Sequence, residues 1–239
     1  MCIKMILFDL DGTLLPMDQD AFIKKYFGLL AAKLASHGYE AVSLLDAIRT
    51  GTEAMVKNNG EKSNETVFWD SFTSRFGEKA REDIPLFEEF YKNEFAGAKS
   101  ACSFNPEAAK TVAKLKESGF RVALATNPLF PAIATENRIR WAGLKPEDFE
   151  LYTTYEYFSY CKPNPQYYKE VANRLGVQPT ECLMVGNDVS EDMVAAAIGM
   201  RVFLQTDCLL NKAEKDISVY PRGDFSQLLR YINSMQLLG

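Results

Sequence analysis

Histidine is almost absent from this chain: His37 is the only one among 239 residues. A Ser–His–Asp triad would have to use it, and its surroundings, LASHGYE, read as a helix end before Gly38. His37 is therefore read as structural, and histidine-based nucleophilic catalysis is not expected. The five cysteines (Cys2, Cys102, Cys161, Cys182, Cys208) are odd in number and scattered, with no CxxC. That spacing suggests neither a zinc site nor a redox pair, so free thiols in a reducing cytosol are expected. No apolar run approaches about 20 residues, the length of a membrane span. The opening stretch, MCIKMILFDLDGT, has a lone Lys4, a short apolar run that ends in acid, and no small-residue cleavage site, so no signal peptide is expected. A basic surplus is also missing, with 27 basic against 32 acidic residues and a formal charge of −5. A sequence-independent nucleic-acid binder would normally show the opposite balance. Low-complexity tracts, heptads and internal repeats do not occur.

What is present is an ordinary globular composition, 47% apolar and 25% charged, long enough for one large domain or two modest ones. Two textures divide it. Residues 1–15 and roughly 100–239 alternate short apolar runs with amphipathic helices. KMILFDL, FRVALAT, ECLMVG and RVFLQT read as buried strands, and ELYTTY as a weaker one. Continuous apolar strands are those of a parallel sheet covered on both faces. Helices are expected at about 106–118, capped by Asn105 and ended by Gly119, then through AIATENRIRWAG, QYYKEVANRLG, SEDMVAAAIGM and DFSQLLRYINSM. This alternation predicts an α/β, doubly wound parallel sheet.

Residues 17–99 read differently. Phe22, Tyr26, Leu29, Leu30 and Leu34 mark one helical face, and Leu44, Ile48 and Met55 a second. Phe68, Phe72 and Phe76 mark a third, and Phe87, Phe90, Tyr91 and Phe95 a fourth. The three-to-four spacing predicts an all-helical insert whose aromatic stripes form its core. The expected organisation is a core of residues 1–16 and 100–239 with a helical domain of 17–99 inserted. Its hinges are expected near Leu15–Asp18 and Ala98–Phe104.

In an open parallel sheet, ligands bind beyond the carboxyl ends of the strands. After the first strand come Asp9, Asp11, Gly12 and Thr13; after the second, Thr126 and Asn127. SYCKPNP brings Lys162, and GNDVSED brings Asp188 and Asp192. Two carboxylates two residues apart on extended chain point to the same side, and they repel unless a proton or a cation joins them. Four at one sheet edge call for a hard divalent cation. Oxygen-only ligation by few protein groups suits magnesium, which keeps some of its waters.

In these motifs, DLDGT at 9–13, ATN at 125–127, KPNP at 162–165 and GNDVSED at 186–192, the chain resembles the haloacid dehalogenase-like hydrolases. Most of that superfamily are magnesium-dependent phosphatases, and many carry a helical cap directly after the first motif, as 17–99 would be here. The resemblance spans the whole chain and implies a Rossmann-like core. It makes Asp9 the nucleophile that forms an aspartyl-phosphate, and Asp11 the acid that protonates the leaving group and later deprotonates water. Leu10, between them, joins Asp9, Asp11, Thr126, Asn127 and Lys162 in holding the phosphoryl group. Magnesium would be bound by Asp9, by the backbone carbonyl of Asp11 and by Asp188. Asp192 would be a second carboxylate of the metal site, acting through water or by orienting Lys162. Asn187, where the family more often has aspartate directly after glycine, could share the role of Asp188. Family dehalogenases resemble this chain but have an aromatic residue at the position of Asp11, and phosphonate-cleaving members a small apolar one, so a phosphate ester is the expected substrate. A phosphomutase of the β-phosphoglucomutase kind and a non-catalytic phosphometabolite sensor are the alternatives. The expected partner is a small-molecule phosphate ester, with no nucleic acid or membrane. For contacts from the insert, Lys24, Lys25, Tyr26 and the loop PMDQD lie nearest the hinge, though an ordinary solvated helix face is the preferred reading of each. NPLFP is read as a two-proline loop starting the next helix.

Overall fold

The computed structural model describes residues 3–236, so Cys2 lies outside the described residues. Five parallel strands form one sheet: β1 (Met5–Phe8), β2 (Arg121–Leu124), β3 (Cys182–Gly186), β4 (Arg201–Gln205) and β5 (Arg222–Gly223). Their order across the sheet is β2-β1-β3-β4-β5. β1 pairs Phe8 with Leu124 on one side and with Val185 on the other. The parallel α/β class read from the sequence is borne out, and β5 is an additional two-residue edge.

The two central strands, β1 and β3, carry no polar side chain because both faces are covered. Ile6 and Phe8 join one core cluster with Leu183 and Val185, while Met5 and Leu7 join the other with Cys182 and Met184. Helices α5 (Pro106–Glu117), α6 (Ala132–Trp141) and α8 (Phe225–Gln236) belong to the first face, and α7 (Pro165–Arg174) to the second. Asn105 caps α5 by accepting from the Glu107 N–H.

Two expectations need correction. ELYTTY does not form a full strand. Tyr152 forms a single bridge pair with Leu124, flanked by backbone hydrogen bonds from β2 to Glu150, Leu151 and Thr153, and the chain at 155–158 then meets the helical segment. SEDMVAAAIGM gives a tight 3-10 turn at Met193–Ile198 rather than an α-helix, closed by Gly199 with φ +89°.

The helical segment holds α1 (Gln19–Ala35), α2 (Ala41–Val56), α3 (Asn64–Phe76) and α4 (Ile84–Lys92), followed by a 3-10 stretch at Glu94–Ala101. Where the chain leaves and returns to the sheet, Met17 bridges Cys102, and Ser103 N–H donates to the Pro16 carbonyl at 2.7 Å. Phe72 is fully buried here, against the rings of Phe68, Trp69, Phe76 and Phe87. Phe72→Ala is expected to cost about 3–5 kcal/mol, the usual loss for a core aromatic. Equilibrium denaturation checks this; a change below about 1 kcal/mol would mean the ring stack relaxes around the gap. His37 lies exposed at the end of α1, far from any catalytic role.

Candidate active site

The order β2-β1-β3 reverses direction at β1, and the crevice between β1 and β3 is where such a sheet binds its ligand. The carboxyl ends of these two strands deliver Asp9 and Asp11 from one and Asn187, Asp188 and Asp192 from the other. They line a small cavity of about 60 Å³ together with Thr126, Asn127, Gln19 and Glu191. All the charged and amide side chains named after the strands thus meet in one place, save Lys162, which stands behind them.

Lys162 is 1% exposed, and its ammonium donates to Asp9 Oδ1 at 2.8 Å and to Asp192 Oδ1 at 2.6 Å. Burial by itself would lower its pKa, but the Asp192 and Asp9 carboxylates outweigh burial and hold it well above the ordinary lysine value. Asp192 has its other oxygen on the Asp188 N–H at 2.9 Å, which fixes it as the support of Lys162. Its carboxyl is pushed up by burial, against the pull of Lys162. Gly186 makes this possible: a Cβ there would come within 2.1 Å of Asp192 Oδ2.

Gly12 has φ +86°, and a Cβ on it would meet the Asn187 amide at 2.3 Å. The turn after Asp11 therefore needs glycine twice over. Asn187 is engaged at both ends. It donates to the Cys208 carbonyl at 2.7 Å and accepts from Thr13 Oγ1 at 2.9 Å. The Thr13 hydroxyl is also 3.2 Å from Asp9 Oδ2, so its single proton serves one acceptor at a time. Asp188 accepts from the N–H groups of Ser190 and Glu191 through Oδ1. Asn127 braces the Lys162 loop, accepting from the Lys162 N–H at 3.2 Å, while its amide donates to Glu191 Oε2 at 3.1 Å. The Thr126 carbonyl accepts from Tyr167 OH at 2.8 Å, which anchors the strand end that carries its hydroxyl. Leu10, between the two aspartates, is fully buried, and its carbonyl accepts from the Leu15 N–H at 2.8 Å.

Asp11 has an unforeseen partner. Arg138 on α6, 1% exposed, pairs its guanidinium with Asp11 Oδ2, while Asp11 Oδ1 is buried without a hydrogen-bond partner among the described residues. Burial pushes the Asp11 carboxyl up, and Arg138 opposes that shift. The signal was present: Ala134, Thr135, Arg138 and Ile139 form the buried stripe of α6, so a charge sits on its inward face. Glu191 was also passed over between Asp188 and Asp192, and Gln19 was singled out only as part of the PMDQD loop. Burial raises Glu191 as well. Lys24 and Lys25 are exposed, and Tyr26 is buried with its hydroxyl 2.8 Å from that of Tyr91.

The donor set is oxygen-only on the cavity side. Among the described residues, no three carboxylate, histidine or cysteine side chains converge as a ready-made metal cluster. A cation here would take one or two carboxylates and complete its shell with water. Magnesium binds in that way, so the residues fit it.

A parallel sheet with carboxylates gathered at its switch point defines an α/β enzyme. The chain belongs to the haloacid dehalogenase-like hydrolases, whose family profile matches residues 3–199. It is similar to the glyceraldehyde 3-phosphate phosphatase of Methanopyrus kandleri, 26% identical over 81% of this chain and 79% of that one. To the phosphoglycolate phosphatase of Vibrio vulnificus it is 27% identical, over 84% and 82%. In fold it is similar to a 2-haloacid dehalogenase from Pseudomonas syringae (TM-score 0.62, 21% identity, 98% of this chain and 99% of that one). A phosphatase of the same superfamily from Thermococcus onnurineus is comparable (TM-score 0.59, 19% identity, 96% and 98%). No helix among the described residues is long and apolar enough to cross a membrane.

Proposed function

We propose that this hydrolase is a magnesium-dependent phosphomonoesterase that works through an aspartyl-phosphate. The observation that carries the reading is a nucleophile-ready carboxylate: Asp9 faces an oxygen-lined cavity and is backed at 2.8 Å by a buried lysine. In the first step Asp9 attacks phosphorus, the bond to the ester oxygen breaks, and Asp11 gives that oxygen its proton. In the second step water attacks the same phosphorus, Asp11 takes the water's proton, and the bond to Asp9 breaks, releasing phosphate. Thr126 and the Asn127 amide hold the phosphoryl oxygens, with Lys162 neutralising charge behind them. Magnesium, held by Asp9, the Asp11 carbonyl and Asp188, would supply charge stabilisation for the phosphoryl group. Asp192 serves through Lys162, which it holds at 2.6 Å.

Residues 17–99 act as the cap over this site, and 1–16 with 100–239 as the catalytic core. Gln19, at the start of α1, lines both the catalytic cavity and an open cavity of about 430 Å³ beside it. Asp18, Asp20, Ser103 and Lys212 on that second wall give a polar space for the leaving group of a small organic phosphate. The curated relatives named for small phosphate substrates fit this size and polarity, and the cytosol is the expected setting.

The reading predicts phosphate release from p-nitrophenyl phosphate and from members of a metabolite-phosphate panel with magnesium present. EDTA should reduce the rate to background, and excess magnesium should restore it. Absence of release from every substrate, with the fold intact by circular dichroism, would overturn the phosphatase reading and bring the sensor forward. Interconversion of a sugar phosphate without release of phosphate would favour the mutase.

A further inference from the structure

A wholly buried arginine beside the predicted general acid is an expensive feature, because a desolvated guanidinium is tolerated only when its donors are met. Each of the three Arg138 nitrogens has one acceptor. Its guanidinium pairs with Asp11 Oδ2, donates to Thr135 Oγ1 at 3.2 Å and to the Ala134 carbonyl at 3.3 Å, and lies 4.4 Å above the Phe130 ring. Phe130 is in turn packed by Tyr26 and Phe95 of the helical segment, at centroid distances of 5.4 and 6.2 Å. The planar fork is therefore clamped between its own helix and an aromatic ring, and it has little freedom of its own.

Such a clamp acts on Asp11 asymmetrically. One carboxylate oxygen is tied to the guanidinium, and the other, Oδ1, is left buried with no hydrogen-bond partner among the described residues. We propose that Arg138 is the positioning residue for Asp11: by holding the carboxyl group through Oδ2 it fixes the orientation from which Asp11 exchanges its proton with the leaving group and with water. The inference rests on the phosphatase reading and adds to it a residue outside the four motifs. Arg138 does not line the catalytic cavity; it acts through the orientation of Asp11, which does. A misplaced acid costs rate in proportion to how much the reaction needs its proton.

That dependence supplies the test. An alkoxide leaving group needs the proton of Asp11, whereas p-nitrophenolate departs without it. For Arg138→Met, kcat/KM is expected to fall about 10- to 100-fold on the best alkyl phosphate of the panel and less than about 3-fold on p-nitrophenyl phosphate. Arg138→Lys, which keeps the charge without the fork, should fall between wild type and the methionine variant, and it carries the same comparison should the methionine variant fail to fold. Equal losses on both substrates would mean a structural role only and would overturn the proposal. Crystal structures of wild type and the variants give a second reading that does not depend on turnover. The Asp11 carboxyl should leave its wild-type orientation when Arg138 is replaced, and an unmoved Asp11 would overturn the proposal even if the wild-type enzyme hydrolysed nothing. Inactivity of the wild type would count against the phosphatase reading alone.

Discussion

Asp9→Asn is expected to remove phosphate release, by on the order of 10³-fold or more, while the protein still folds. The amide has nearly the shape of the carboxylate and can keep a contact to Thr13 or to Lys162, so the loss falls on chemistry. Without an anionic oxygen, no aspartyl-phosphate forms, and the two-step route is closed. Losses of this scale accompany removal of a covalent nucleophile in other enzymes. The measurement is a steady-state assay on p-nitrophenyl phosphate, with denaturant unfolding alongside. Retention of more than about a tenth of the rate would mean that water attacks phosphorus directly and that Asp9 serves only as a charge. A radiolabelled or mass-shifted covalent phosphoenzyme should be trapped in the wild type on rapid quench and be absent from the variant.

Lys162→Met is expected to harm stability and activity together. Lys162 is the cation between Asp9 and Asp192, each within 2.8 Å of its ammonium, in a place where the lysine and Asp192 side chains are each 1% exposed. Removing one partner of a buried pair leaves its charge uncompensated, at a cost of about 3–5 kcal/mol. One of the two carboxylates then takes a proton to relieve the repulsion, and a protonated Asp9 is no nucleophile. Denaturant midpoints and kcat should fall together, with kcat below about a hundredth of wild type. Adding Asp192→Asn to the variant should return part of the stability, because the facing charge is gone, and none of the rate. Recovery of rate in the double variant would show that Lys162 only balances Asp192 and plays no part in phosphoryl transfer.

The two expectations draw on residues that the sequence already placed. Asp9, Asp11, Thr126 and Asp188 each follow closely on a short buried apolar run, and in a parallel sheet that position means the ligand edge; Lys162 is marked by the KPNP motif. The rule is local: a strand of four or five residues announces itself by apolar character, and what comes next is at its carboxyl end. The same holds for the helical segment, where Phe22, Leu30, Phe72 and Phe90 could be read as inward-facing from spacing alone, and all four are fully or nearly fully buried.

Features that depended on distant partners were hidden. ELYTTY has the composition of a strand and bonds to β2 from Glu150 to Thr153, yet the pairing goes no further, and the following chain is held by α3 through Asn64 and Glu65, whose N–H groups donate to the Phe158 and Tyr155 carbonyls. The contacts of the Asn187 amide with Thr13 and the Cys208 carbonyl are likewise invisible in GNDVSED. The contact of Asp192 with Lys162 was expected from the resemblance, and its 2.6 Å ion pair is what the tertiary structure adds.

By itself, the sequence determined a parallel α/β enzyme with an aromatic-cored helical insert and an acidic, lysine-backed site at the strand ends. Periodicity and strand-end position are properties of a few neighbouring residues, and they survive without knowledge of the rest. Only the tertiary structure decided the strand order that puts β1 at the switch point, the engagement of Asn187 by Thr13 and Cys208, and the pairing of Asp11 with Arg138. That last contact joins residues 127 positions apart. No local pattern encodes such a separation; it arises when burying the apolar stripe of α6 carries Arg138 inward to Asp11.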